Sequence, residues 1–203
     1  MARRLLFYTT SLSGGGAERV WTVLASELAR RGHDVTLALD FDAEANRPYL
    51  APEVKVDVIG EGEGLRRHVR SLVALATLLR RLRPDFMLTA VGGSDVKGLA
   101  AAATLGRTSR VITSYHGYLE NETGRFGAIH VRLARLWTRL AAATVCVSEG
   151  LRRDMIDRWH ASPRACVRIY NPIVVAGADA PLAAAGLAAR EALVAAAGRV
   201  GPG

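Results

Sequence analysis

An α/β fold built on a doubly wound, mostly parallel sheet is predicted by three features of the sequence. Short β-forming apolar runs alternate with segments of helical period, turn residues punctuate the alternation, and half of the 203 residues are apolar, enough for a sizeable core. The chain opens with the strand-like run LLFYTT (5–10). A helix from about Ala17 to Arg31, stopped by Gly32, and the run DVTLALD (34–40) complete a βαβ unit. Further strands are predicted at 54–60, 85–91, 110–116, 143–148 and 165–170, and helices at about 64–83, 95–105, 125–142 and 149–159. In such a fold ligands bind beyond the carboxyl ends of the strands, so the loops after Thr10, Val91, Tyr115 and Val147 carry the functional interest.

After Tyr170 the pattern changes. Asn171-Pro172 interrupts regular structure, and the Ala-rich stretch 175–190, with Gly177, Pro181 and Gly186, reads as a linker. The final EALVAAAGRVGPG (191–203) holds a strand-length apolar run that cannot bury itself without partners. The expected organisation is therefore one Rossmann-like domain over 1–174, a linker over 175–190, and the start of a truncated second domain over 191–203.

Cys146 and Cys166 stand in no metal-ligand or CxxC spacing, so neither a disulfide framework nor a metal site is expected, and a reducing cytoplasm is the natural compartment. No run is long enough to span a membrane, and the apolar start lacks a cleavage pattern. The formal charge is +8, and all but two of the 27 basic residues are arginine, the exceptions being Lys55 and Lys97. Such a surface attracts phosphates or anionic lipid headgroups without choosing between them.

The loop Ser11 to Arg19 carries Gly14, Gly15 and Gly16 between the first strand and the first helix. Glycines admit close approach of backbone amides, and the helix start behind them favours an anion. The spacing is not the dinucleotide fingerprint, because Arg19 stands where its third glycine belongs; Asp40 or Asp42 as a ribose-binding acid keeps that reading open, as does a purely structural turn. His116, in Ser114-Tyr115-His116-Gly117, closes a predicted strand at the ligand edge, where an imidazole can donate a hydrogen bond or orient a substrate without ionising. Ser148-Glu149 reads as an N-cap and first-turn acid, with a contact to acceptor as Ser148's other role. Ser94 and Asp95 are either the cap of the next helix or groups that hold an acceptor hydroxyl.

Two basic amphipathic stretches stand out. In Leu65 to Arg83 the apolar positions 65, 69, 72, 75, 76, 78, 79 and 82 are expected on one face, with Arg66, Arg67 and Arg70 at one end and Arg80, Arg81 and Arg83 at the other. In the second, Arg132, Arg135 and Arg139 recur opposite Phe126, Ile129, Leu133, Leu136, Trp137 and Leu140. Either face is a solvated surface or a grip on an anionic membrane or lipid-linked acceptor. Nucleic acid is disfavoured, since no stacking-aromatic pattern accompanies the charge.

GGAERV after an opening strand, followed by a helix and HDVTL, resembles the N-terminal domain of family 4 glycosyltransferases, which have the two-domain GT-B architecture. VITSYHG, ATVCVSEGLRRDM and VRIYNPI extend the resemblance over about 1–174, and ALVAAAGRV is similar to the family's first strand of the second domain. The resemblance implies a retaining transfer of a sugar from a nucleoside diphosphate to an acceptor hydroxyl, with the nucleotide sugar as co-substrate and no bound metal or other cofactor. It implies that Gly15 and Gly16 contact the donor diphosphate or sugar, and that His116 faces the sugar. The family's paired glutamates belong to its second domain; Glu53 and Glu61 share their spacing but flank a strand, a coincidence. The expected chain is thus the N-terminal half of a cytoplasmic enzyme, inactive alone, peripheral on the inner membrane face and acting on a glycan or lipid-linked acceptor. A non-catalytic membrane- or acceptor-binding module and a nucleotide-binding oxidoreductase are the competing classes.

Overall fold

The computed structural model describes residues 1–43, 45–60, 64–90, 92–117 and 133–172. The linker and second-domain start expected over 175–203 lie outside these residues, as does Arg132. Seven strands form one sheet: β1 (Arg4–Thr9), β2 (Asp34–Leu39), β3 (Lys55–Val58), β4 (Phe86–Ala90), β5 (Val111–Tyr115), β6 (Ala143–Cys146) and β7 (Cys166–Arg168). Their order is β3-β2-β1-β4-β5-β6-β7, and every neighbouring pair is parallel. The chain winds outward from β1 in one direction and then from β4 in the other, which makes the doubly wound sheet expected.

Among the described residues five helices flank the sheet: α1 (Gly16–Arg30), α2 (Gly64–Leu82), α3 (Gly92–Ala103), α4 (Ala134–Leu140) and α5 (Glu149–Asp157). Successive strand residues point to opposite faces. In β1, Leu5 and Phe7 therefore join Trp21, Ala25 and Ala29 of α1, while Leu6 and Tyr8 meet Leu75, Leu78 and Leu79 of α2 and Leu99 of α3. Burial on both faces explains why the strands read as continuous apolar runs rather than alternating ones. A side chain as fully buried as Phe7 or Leu75 stabilises the fold by roughly 1.5–3 kcal/mol. Past Arg31, Gly32 adopts φ +84, the left-handed turn that a glycine accepts at a helix end.

Three expectations need correction. Helix α3 begins at Gly92, earlier than predicted, so Ser94 and Asp95 lie inside its first turn rather than capping it. Both are fully buried, Ser94 Oγ 3.1 Å from Thr10 Oγ1 and Asp95 accepting a 2.5 Å bond from Thr89 Oγ1; strand hydroxyls draw them inward. On α2, Ser71, Leu75 and Leu78 face the sheet, which rotates Val69, expected on the apolar face, to the outside at 54% exposure beside the exposed Val73. On the short α4, Ala134 and Thr138 are buried, and Leu136 and Leu140 are exposed beside Arg135 and Arg139 rather than opposite them.

Candidate functional site

The carboxyl ends of the strands carry the glycine loop after β1, Asp40 after β2, Ser94 and Asp95 after β4, His116 after β5 and Ser148 after β6. Gly15 is the N-cap of α1, with φ −74, and Gly16 is its first residue. Neither Gly14, Gly15 nor Gly16 has positive φ, and a Cβ built on Gly16 meets nothing within 4 Å. A Cβ on Gly15 would strike the Glu18 carboxylate, which folds back over the helix start. Turn geometry therefore does not call for these glycines; Gly16 leaves open space at a helix N-terminus, where the first amides favour negative charge, while the Glu18 carboxylate covers Gly15. Glu18 lies in that same first turn, the position in which an acid is stabilised.

His116 stands beyond β5 on the α1 face. Its Nε2 is 3.0 Å from Ser114 Oγ, while Nδ1 is buried with no hydrogen-bond partner among the described residues. The ring meets Trp21 edge-on, centroids 5.7 Å apart and planes at 83°. Burial lowers its pKa to about 4, so the imidazole is neutral at physiological pH. A neutral ring bound through Nε2 presents Nδ1 as donor or acceptor according to its tautomer, which suits it to hold a hydroxyl rather than to carry charge.

Three strands away, on the α2–α3 face, a second polar cluster was missed by sequence reasoning. Asp40 is fully buried and accepts hydrogen bonds from Lys97 Nζ and, at 2.7 Å, from Tyr8 Oη. Lys97 also donates to Ser71 Oγ at 3.3 Å, whose hydroxyl donates to the His68 carbonyl. Burial, and then the charge of Asp40, push the Tyr8 phenol up, which keeps it a donor. The Gly60 position would put a Cβ 2.2 Å from the Asp40 carbonyl oxygen, so only glycine lets the chain leaving β3 close over this acid. The signal in the sequence was Lys97 itself, a lone base in the otherwise apolar Val96-Lys97-Gly98-Leu99-Ala100. Asp40 is thus committed internally and closed to the ribose-binding role that the dinucleotide reading required, while Asp42 forms an exposed pair with Arg47.

Ser148 caps α5 as expected, its Oγ accepting the Leu151 N–H at 3.1 Å, with Glu149 in the first turn. On the outer surface, Arg66 and Arg70 of α2 are exposed beside Val69 and Val73, whereas Arg67 is half-buried with its guanidinium 5.4 Å from the Phe41 ring. Helix α4 packs against the same core as α2 through Trp137, so Arg135, Leu136, Arg139 and Leu140 belong to the same layer. No helix among the described residues is long and apolar enough to cross a membrane.

With the glycine loop and His116 at one edge of a parallel sheet, a family model for glycosyltransferase family 4 matches residues 14–176. The chain belongs to glycosyltransferase family 4. No curated protein matches it. Among solved structures, this family 4 chain is similar to Anabaena HepE in complex with UDP-glucose, at 18% identity and TM-score 0.66, covering 84% of this chain and 44% of that one. The apo lipopolysaccharide outer core galactosyltransferase WaaB matches at 15% identity and TM-score 0.67, with 86% and 47% covered. A Rickettsia bellii UDP-N-acetylglucosamine 2-epimerase matches at 10% identity and TM-score 0.58, with 84% and 45% covered. The chain therefore spans less than half of these structures, and the fold is the Rossmann-like N-terminal half of a GT-B architecture. Because an epimerase shares it, the fold alone does not select transfer.

Proposed function

We propose that this chain is the N-terminal half of a nucleotide-sugar-dependent glycosyltransferase that moves a sugar, with retention, to an acceptor hydroxyl on a glycan or lipid-linked carrier. The carrying observation is His116: a half-buried, neutral imidazole whose Nδ1 has no hydrogen-bond partner among the described residues, at the ligand edge of a family 4 domain. In this reading Nδ1 holds a hydroxyl of the transferred sugar, and the start of α1 at Gly15 and Gly16, with Glu18 moved aside, faces the donor diphosphate. The donor class is supported by HepE, solved with UDP-glucose, and by WaaB, described as a galactosyltransferase. No resident cofactor enters the scheme.

A GT-B site lies between two domains, and stabilisation of the departing diphosphate falls to the donor-binding half. The 203-residue chain alone accordingly gives no transfer with any nucleotide sugar, and activity requires a donor-binding half, whose start we assign to 191–203, beyond a linker over 175–190. Turnover by the purified chain would overturn this division of labour. With the donor half supplied, His116→Ala lowers turnover by roughly 10²-fold, the scale of a positioned catalytic side chain; an unchanged rate removes His116 from the chemistry.

The same reading places the enzyme on the cytoplasmic face of a membrane as a peripheral protein. Exposed Val69 and Val73 beside Arg66 and Arg70 on α2, and Leu136 and Leu140 beside Arg135 and Arg139 on α4 in the same helical layer, are apolar and basic patches suited to anionic lipid.

A further inference from the structure

Trp21 is 3% exposed, yet its Nε1–H finds no acceptor among the described residues. A buried donor left unbonded costs about 1–3 kcal/mol, so its retention calls for a reason. Its surroundings supply one. Phe7 of β1 meets the indole edge-on at 5.6 Å, and the indole in turn meets His116 edge-on at 5.7 Å. The three rings reach from β1 to the end of β5 across the intervening β4, where Ala90, paired with Ser114, offers only a methyl group to the same core. Trp21 also stands on α1 five residues after Gly16, so one rigid helix carries both the glycine loop and the ring that abuts the histidine.

We infer that Trp21 is the positioning residue for His116, fixing the ring's place relative to the start of α1 and shielding it from water. The inference rests on the functional reading only in assigning His116 to the sugar; the mechanical coupling stands on the ring contacts. Among the described residues the imidazole meets Ser114 of β5 and Trp21 of α1, and no carboxylate or cation shifts it, burial alone lowering its pKa.

The test is an NMR titration of the intact 203-residue chain, with His116 assigned by His116→Gln and Trp21 by Trp21→Phe. In the unaltered protein the imidazole stays neutral down to about pH 4, and the Trp21 indole N–H resonance moves with the same midpoint. Trp21→Leu keeps apolar bulk but removes the ring, and the His116 midpoint then rises by at least about one unit toward its ordinary value as water enters. Trp21→Phe restores about half of that rise. An indole resonance indifferent to the titration of His116 overturns the inference without any substitution of Trp21, so a Trp21→Leu chain that fails to fold does not protect it. A folded Trp21→Leu with the original midpoint overturns it equally. Since no donor is present, this result is independent of the turnover of His116→Ala: a moved midpoint with unchanged turnover keeps the coupling and overturns the functional reading.

Discussion

Asp40 and His116 both stand at the carboxyl edge of the sheet, three strands apart and on opposite faces, and the fold treats them in opposite ways. Asp40 is charged, fully enclosed and bonded to Lys97 and Tyr8, in a cluster that ties β1, β2, α2 and α3 together. His116 is neutral, packed against the Trp21 ring, and has one nitrogen without a hydrogen-bond partner among the described residues. A buried charge persists only when its neighbours satisfy it, so the first cluster has nothing left with which to bind a ligand. The second has kept a hydrogen-bonding atom in reserve. At this edge, saturation accompanies a structural role, and we propose that an unpartnered atom accompanies a functional one.

The largest expected effect tests the saturated side. Lys97→Met leaves the Asp40 carboxylate buried without its cation and destabilises the fold by about 3–5 kcal/mol, read from urea unfolding. Adding Asp40→Asn to it recovers most of the loss, because neither partner then remains charged. A mild effect of Lys97→Met alone would break the comparison, by showing that Asp40 reaches water and is open to ligands after all.

His116 yields the next effect, with a defined sign. Its pKa falls from 6.5 when unfolded to about 4 when folded, so between these values the unfolded chain binds the extra proton. Stability is therefore complete above pH 6.5 and declines as pH falls toward 4, by up to roughly 3 kcal/mol from this group. Burial also lowers His33 and His68, which adds the same sign. His116→Gln flattens the acid limb and changes stability at pH 7 by far less than Lys97→Met. If the two changes cost the same at pH 7, His116 belongs with Asp40.

The doubly wound fold was legible because strands buried on both faces leave unbroken apolar runs, as in Leu5 to Tyr8, and because helix stops such as Gly32 are local. The position of His116 after β5, at the ligand edge, was legible from the strand pattern. Trp21 was not, since an aromatic at a core position of α1 carries no sign of the ring it will meet across β4. Nor was the Asp40–Lys97 pair, 57 residues apart, which only the sheet order brings together. The faces of α2 and α4 were misjudged at Val69, Leu136 and Leu140 because half-apolar helices have several plausible stripes, and packing against the sheet selects one.

That correction changes what the arginines should do. Arg66 and Arg70 flank exposed valines, but Arg67 lies against Phe41. Replacing Arg66 and Arg70 by Gln weakens co-sedimentation with acidic liposomes by up to about 2 kcal/mol, near 1 kcal/mol per base at a membrane surface, and Arg67→Gln has less effect. Neutral liposomes bind poorly, and added salt releases the protein. Equal binding to neutral and acidic vesicles would return this face to solvent.

Ser148 offers the finest test of saturation as the dividing rule. It shares the ligand edge with His116, yet its hydroxyl already accepts the Leu151 amide and caps α5. The rule places it on the structural side. Ser148→Ala should then cost about 1 kcal/mol of stability, and Ser148→Asp, which caps as well, should restore it. Turnover of the enzyme with its donor half should follow that stability in both variants. A loss of turnover that Asp does not repair, at unchanged folding, would mean that the hydroxyl leaves its cap to meet substrate, and that an engaged group at this edge can still be a functional one.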